Sequence, residues 1–321
     1  MFVAKTCVWR GAFSYGCSRV RCRPVMGRIQ IPGVAAMNSR VAAAMNCVPA
    51  ADRRATAFCV LLVIILSPAG RVDATDKVEE TIQRIESLGG QVKRDEKMTG
   101  RPVTEIILEG NPEEYAPLLS QLRLFTNLTT LDCQTNITDA GLKELAGLKK
   151  LKSLCLANTD ITDAGLSELR GIENLESLIL SNTRVRDAGL KELSGLKNMK
   201  LLELGGTRIT DAGLKALRGL KNLESLDLSG NDYGNITDAG LKELRGLKKL
   251  KTIKLSGNRI TDAGLKELNG LKDLMELDLG ATEITDVGLK QLAGLKKMTR
   301  LVLIGPRITD AGLKELSGLK N

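Results

Sequence analysis

Hydrophobic positions along most of the chain follow one phrase, L-x-x-L-x-L-x-x-(T/N)-x-I-T-D-A-G-L-x-x-L-x-G-L-K, which starts at residue 128 and recurs to the end. Its T-D-A-G core falls at Thr138, Thr162, Arg186 (in place of Thr), Thr210, Thr237, Thr261, Thr285 and Thr309, at spacings of 24, 24, 24, 27, 24, 24 and 24 residues. Eight copies at a fixed period identify a repeat architecture. Each copy changes its apolar period midway. In Leu154-Cys155-Leu156 the alternation predicts a short strand with Leu154 and Leu156 inward and Ser153, Cys155 and Ala157 outward. Thr162 and Asp163 then cap a helix, the carboxylate near the positive N-terminus; Leu166 and Leu169 share one face, and Gly171 ends it.

One such coil of strand, loop, helix and turn cannot bury its apolar face alone. Neighbouring coils must stack, with the strands in a concave parallel sheet and the helices outside. The recurrent Gly141, Gly165 and Gly189 read as places of close helix packing rather than as a ligand site. Upstream, Val103, Ile106, Leu108 and Asn111 fit the opening of the phrase, so a degenerate first coil precedes the eight. Asn111-Pro112 starts a helix carrying Leu118, Leu119 and Leu122. Val78, Ile82, Ile85 and Leu88 lie on one face of an earlier helix that Gly89-Gly90 ends. Residues 91–95 are expected to pair with 103–109 across a turn containing Gly100. Residues 75–126 thus read as an N-terminal cap and degenerate first repeat, and 127–321 as the array. The chain stops just after Gly318-Leu319-Lys320 opens another turn, which leaves the last coil uncovered. Either that edge pairs with something, self-association included, or the sequence is a fragment.

The phrase resembles the leucine-rich-repeat family, in particular its cysteine-containing, I-T-D-A-G-L subtype, over residues 128–319. The resemblance implies an α/β solenoid, a horseshoe with a concave parallel sheet and convex helices, that binds proteins or other macromolecules and has no catalytic residue in its repeats. Arrays of this kind with an export signal resemble exported bacterial proteins. Eukaryotic members of the subtype include F-box substrate receptors, but no F-box segment is found here, and the ubiquitin function does not transfer.

Composition narrows the chemistry. There is no His in 321 residues, so a Ser-His-Asp or Cys-His nucleophile, a His-bearing zinc site and an imidazole base are all excluded. Lys and Arg number 47 against 38 Asp and Glu, a net charge of +9. Residues 1–74 hold 10 of the basic and 2 of the acidic residues, which leaves 37 against 36, or +1, for the rest. The balance gives no nucleic-acid signature.

Residues 1–74 read as a leader. Cys7, Cys17 and Cys22 sit in an Arg-rich stretch without periodicity, which is expected to be disordered or untranslated. Arg53-Arg54, the apolar run from Ala55 to Leu66 and Val72-Asp73-Ala74 form a signal peptide over about residues 45–74, with cleavage after Ala74 and a natural start at Met37 or Met45. The competing reading is an uncleaved anchor through 55–66, although about twenty apolar residues are needed to span a bilayer. Phe58 beside Cys59 argues against lipid attachment.

Function is expected on the outward strand positions, which form three columns. The first runs Thr130, Ser153, Ser177, Leu201, Ser225, Thr252, Glu276, Arg300. The second runs Asp132, Cys155, Ile179, Glu203, Asp227, Lys254, Asp278, Val302. The third begins at Gln134 and ends at Ile304. These columns vary while the inward Leu positions hardly do. Asp132, Glu203, Asp227, Glu276 and Asp278 against Lys254 and Arg300 make a mildly acidic face suited to a basic partner. The 27-residue step adds Asn231 to Asn235, where Tyr233 is the one aromatic residue of the array and a contact candidate. The leading expectation is therefore an exported scaffold (periplasm, cell surface or secreted) binding a protein partner, with no cofactor or metal. A structural surface or envelope component without a discrete ligand is the rival, followed by an intracellular adaptor and an enzyme.

Overall fold

The computed structural model describes residues 74–133, 137–230, 236–305 and 307–319. Residues 1–73 (with Cys7, Cys17, Cys22, Cys47 and Cys59), Gln134, and the 231–235 insertion with Tyr233 lie outside the described residues. Ten strands form one open sheet in chain order. β1 (Gln91–Arg94) pairs antiparallel with β2 (Val103–Leu108), Gln91 opposite Ile107. From β2 onward every pairing is parallel: β3 (Thr130–Cys133), β4 (Ser153–Cys155), β5 (Ser177–Ile179), β6 (Leu201–Glu203), β7 (Ser225–Asp227), β8 (Thr252–Lys254), β9 (Glu276–Asp278) and β10 (Arg300–Val302). Equivalent residues of successive coils pair directly, Leu131 with Leu154 and Leu154 with Leu178. The inward leucines thereby stack into continuous columns, and Leu154, Leu178, Leu202 and Leu226 are fully buried.

At the N-terminal end, α1 (Ala74–Ser87) turns Ile82 and Ile85 into the core. α2 (Pro112–Leu119) starts under an Asn111 side chain that accepts from the Glu113 amide. The sequence pattern passes over Tyr115. Its ring is buried, with the hydroxyl 3.0 Å from the Leu88 carbonyl and 2.9 Å from that of Glu109, so it ties α1, β2 and α2 together.

The convex segments begin at the Asp of each T-D-A-G: α3 (Asp139–Leu145), α4 (Asp163–Leu166), α5 (Asp187–Glu192), α6 (Asp211–Leu214), α7 (Asp238–Leu244), α8 (Asp262–Leu268), α9 (Asp286–Leu289) and α10 (Asp310–Lys314). The single helix expected up to Gly171 is divided: α4 gives way to a 3₁₀ turn over Ser167–Gly171. Leu166, Leu169 and Ile172 recur every third residue and are all fully buried, a period that a 3₁₀ turn satisfies better than an α-helix.

The expected Thr cap is present. Thr162 Oγ1 accepts from the Ala164 amide, and the Thr residues at 210, 237, 261, 285 and 309 do the same in their coils. The Asp that follows does something the sequence reading does not anticipate: it reaches into the next coil. Asp139 accepts from the Thr162 amide (2.9 Å) and from the Thr162 hydroxyl (2.6 Å). The same two bonds join Asp187 to Thr210, Asp211 to Thr237, Asp238 to Thr261, Asp262 to Thr285 and Asp286 to Thr309. Asp163 keeps only the backbone bond, 2.7 Å, because Arg186 has no hydroxyl. The hydrogen bond from the Thr309 hydroxyl, with that from its amide, holds Asp286 below the usual carboxylate range. The stability that the Asp286–Thr309 contact contributes is therefore present above the ordinary Asp pKa and is lost as pH falls through the depressed one.

The recurrent glycine makes room for this clasp. A Cβ on Gly240 would lie 2.3 Å from Asp211 Oδ1, and the corresponding distances at Gly165, Gly189, Gly213, Gly264, Gly288 and Gly312 are 2.2 to 2.5 Å. The close-packing reading of these glycines holds, with the carboxylate of the preceding coil as the group that needs the space.

Where β4 to β9 turn toward the convex side, one residue in each coil takes a left-handed backbone: Asn158 (φ 59°), Asn182 (57°), Gly206 (69°), Gly230 (61°), Gly257 (77°) and Ala281 (51°). Asn and Gly tolerate this conformation; Ala does not. Ala281→Gly is expected to raise stability by about 0.5–1 kcal/mol in urea melts. Asp211→Ala leaves the Thr237 amide without its acceptor and is expected to cost about 1–3 kcal/mol. Gly240→Ala forces the same carboxylate aside, so the double variant is expected to lose less than the sum of the single losses. Additive losses in those melts would separate the glycine from the clasp.

Candidate functional site

The parallel register places the expected outward columns as the alternation requires. Thr130, Ser153, Ser177, Leu201, Ser225, Thr252, Glu276 and Arg300 pair in sequence, and Asp132, Cys155, Ile179, Glu203, Asp227, Lys254, Asp278 and Val302 form the column beside them. β3 to β5 present mainly small or apolar side chains, Ser153, Cys155, Ser177 and Ile179. Apart from Asp132 on β3, the charges gather from β6 onward.

Those charges are less available than a count of carboxylates suggests. Asp227 is buried; its Oδ1 accepts from the Ser229 amide and hydroxyl, and its Oδ2 lies 3.0 Å from Lys254 Nζ. The bond to Asp227 raises Lys254 above the ordinary lysine value against the desolvation it suffers, and Glu203 and Asp278 add to the effect. Asp278 accepts from the Gly280 amide at 2.9 Å, which closes its own turn. Asp132 stands beside Cys155 and accepts a hydrogen bond from its thiol. Glu203 and Glu276, half-buried, and Arg300, exposed, have no ion-pair partner within 4.0 Å among the described residues. Adjacency of Asp227 and Lys254 in one column is legible in sequence, since parallel strands lie about 4.8 Å apart. The Ser229 bonds, which bury the carboxylate, are not.

Thr252, Lys254, Glu276, Asp278, Arg300 and Val302 line a shallow depression of about 50 Å³. This is room for a side chain or water rather than for an enclosed substrate. Among the described residues no group of three His, Cys, Asp or Glu side chains is placed to hold a metal ion.

The two described cysteines are free thiols on opposite faces. Cys133 takes an inward Leu position and is fully buried, while Cys155 is half-buried on the concave side. Burial pushes the Cys133 thiol far up; burial, then the bond to Asp132, pushes Cys155 up to about 11. Neither is a thiolate nucleophile at neutral pH.

Three segments, residues 147–169, 173–232 and 248–308, match family models described as leucine-rich repeat. Among solved structures, internalin C2 from Listeria monocytogenes is 31% identical over 57% of this chain and 72% of its own, with a TM-score of 0.44. An internalin (InlF) of the same organism is 21% identical over 76% of this chain and 93% of its own, at 0.43. The leucine-rich-repeat ectodomain of the membrane receptor kinase GASSHO1/SCHENGEN3 from Arabidopsis thaliana, solved in complex with CASPARIAN STRIP INTEGRITY FACTOR 2, is 21% identical, at 0.49. That match covers 71% of this chain and 27% of the receptor. No curated protein matches the chain.

In iodoacetamide labelling followed by mass spectrometry, Cys155 is expected to react slowly at pH 7.5 and much faster as the pH approaches 11. Cys133 is expected to react only on unfolding. Rapid labelling of Cys133 in the native protein, or a Cys133–Cys155 disulfide, would contradict the strand register.

Proposed function

The chain belongs to the leucine-rich-repeat proteins, and from that premise we propose that it is an exported, non-enzymatic scaffold that binds a protein partner on its concave face. Arrays of this family generally mediate protein–protein interaction. The observation that carries the reading is a contrast between the two sides of one sheet. Inward positions are Leu or Ile in nearly every coil and fully buried, whereas the outward positions differ from coil to coil. A constant scaffold beneath a variable surface is what recognition requires, and no packing constraint explains the variation.

On this reading Glu203, Glu276 and Arg300 make the direct contacts, because none of them has an ion-pair partner within 4.0 Å among the described residues. Asp132, Asp227, Lys254 and Asp278 frame them, and Tyr233 on the insertion adds an aromatic contact at the margin. The partner surface is basic opposite Glu203 and Glu276 and carries a carboxylate for Arg300. The chain divides into a leader at 1–74, a cap at 75–126 and the array at 127–321. Export rests on the leader, whose alternative role is a membrane anchor through 55–66; among the described residues no helix is long and apolar enough to cross a membrane.

Partners captured by the native protein, each then measured alone by calorimetry, test the proposal. Glu276→Lys is expected to weaken binding at least about tenfold and Tyr233→Ala about fivefold or more, with unchanged melting curves. Lys242→Glu on the convex side is expected to leave affinity within about twofold. Affinity that follows the convex change and ignores the concave ones would remove the site from the concave face.

A further inference from the structure

The balanced charge of residues 75–321 conceals a segregation. Between the end of each helical segment and the next strand the chain crosses one flank of the solenoid, at 149–152, 173–176, 197–200, 221–224, 248–251, 272–275 and 296–299. These seven windows hold 12 lysines against four carboxylates. Lys152, Lys200, Lys251 and Lys297 are ion-paired to Glu176, Glu224 and Asp273. Lys149, Lys197, Lys221, Lys248 and Lys272, which recur at one place in the coil, are exposed and have no carboxylate within 4.0 Å among the described residues, as is true of Lys150 and Lys249 beside them. Their ammonium groups rest instead on uncharged oxygens. Lys149, Lys248 and Lys272 donate to the carbonyls of Gly171, Gly270 and Gly294 in the next coil, at 2.9, 3.1 and 3.4 Å. Lys249 donates to Asn222 Oδ1 at 2.7 Å. A carbonyl occupies one of three N–H bonds and cancels none of the charge.

We propose that this lysine flank is a second binding surface, separate from the concave face, for a linear anionic polysaccharide. The repeat sets a cation at this place in every window but 173–176, where Glu173 stands instead, and coils stack about 4.8 Å apart at the sheet, so from Lys197 onward the flank carries a line of point charges at a nearly constant interval. A polymer with an anionic group on successive sugars meets such a line along its whole length. The cations of the windows are all Lys, mobile point charges that set no fixed orientation on the anionic groups they meet. The windows contain no aromatic residue, so they offer bases no stacking platform. Met275 is the one exposed large apolar side chain within them, too little to enter a lipid layer.

Binding of a size-defined heparin oligosaccharide to the full chain, followed by calorimetry at 50 and 200 mM NaCl, tests this. Affinity is expected to fall steeply with salt, as release of several counterions requires. The fourfold variant Lys221→Gln, Lys248→Gln, Lys249→Gln, Lys272→Gln keeps side-chain donors while removing four charges, and is expected to lose at least about tenfold in affinity and to flatten the salt slope. A matched variant on the convex side, Lys191→Gln, Lys215→Gln, Lys242→Gln, Lys266→Gln, has the same net charge and is expected to lose less than about threefold. Should the flank variant melt early, the pair Lys248→Gln, Lys249→Gln is read instead, with a loss of about threefold expected. Equal losses from both faces, no heparin binding at 50 mM NaCl, or equally tight binding of duplex DNA or phosphatidylglycerol vesicles would overturn the proposal.

Discussion

The arrangement depends on one hydrogen-bonded contact, that between the Asp of each T-D-A-G and the Thr that opens the next coil's helix. A solenoid coil touches only its neighbours, so whatever aligns one coil on the next aligns the array. The strand ladder fixes the register on the concave side, but on the convex side apolar stacking alone does not, because leucine columns can slide with little penalty. The carboxylate supplies direction: two acceptor oxygens meet an amide and a hydroxyl in one geometry, and the hydroxyl passes its acceptor side to the amide two residues on. The glycine that follows is the steric condition for the contact. Three of the four residues of the motif are thus accounted for by a single interaction between coils, and the fourth varies to Val at 287, where its side chain points to solvent.

Much of the fold is legible from the period. Leu154 and Leu156 inward, Ser153 and Cys155 outward, and Thr162 at the cap all follow from alternation and capping chemistry within one coil. What escapes is whatever acts between coils. A helix N-terminus is an adequate local explanation for Asp163, and nothing in a single copy says that its oxygen is committed 23 residues ahead. Tyr115 escapes for a related reason: its two carbonyl neighbours belong to different elements of the N-terminal end, which no periodicity links.

The functional surfaces divide along the same line. Which positions face outward on the sheet is a matter of counting by twos. Which of their charges remain available is a matter of three dimensions, as Asp227 shows, being taken up by Ser229 and Lys254 while Glu203 and Glu276 are not. Net charge misleads in the other direction. A sum of +1 over the cap and array is compatible with an even surface, yet a repeat copies any charged position into a row, so the sign of one residue in the phrase becomes the sign of a whole flank.

The substitution at Arg186 gives the array an internal weak point. In a quasi-one-dimensional stack the cooperativity of folding is carried by the junctions, and the clasp between α4 and α5 has one hydrogen bond where the other clasps have two. A crack in the array opens most readily there. The coils on either side then exchange, unfold and refold as two cooperative blocks, and strain applied to one block is poorly transmitted to the other.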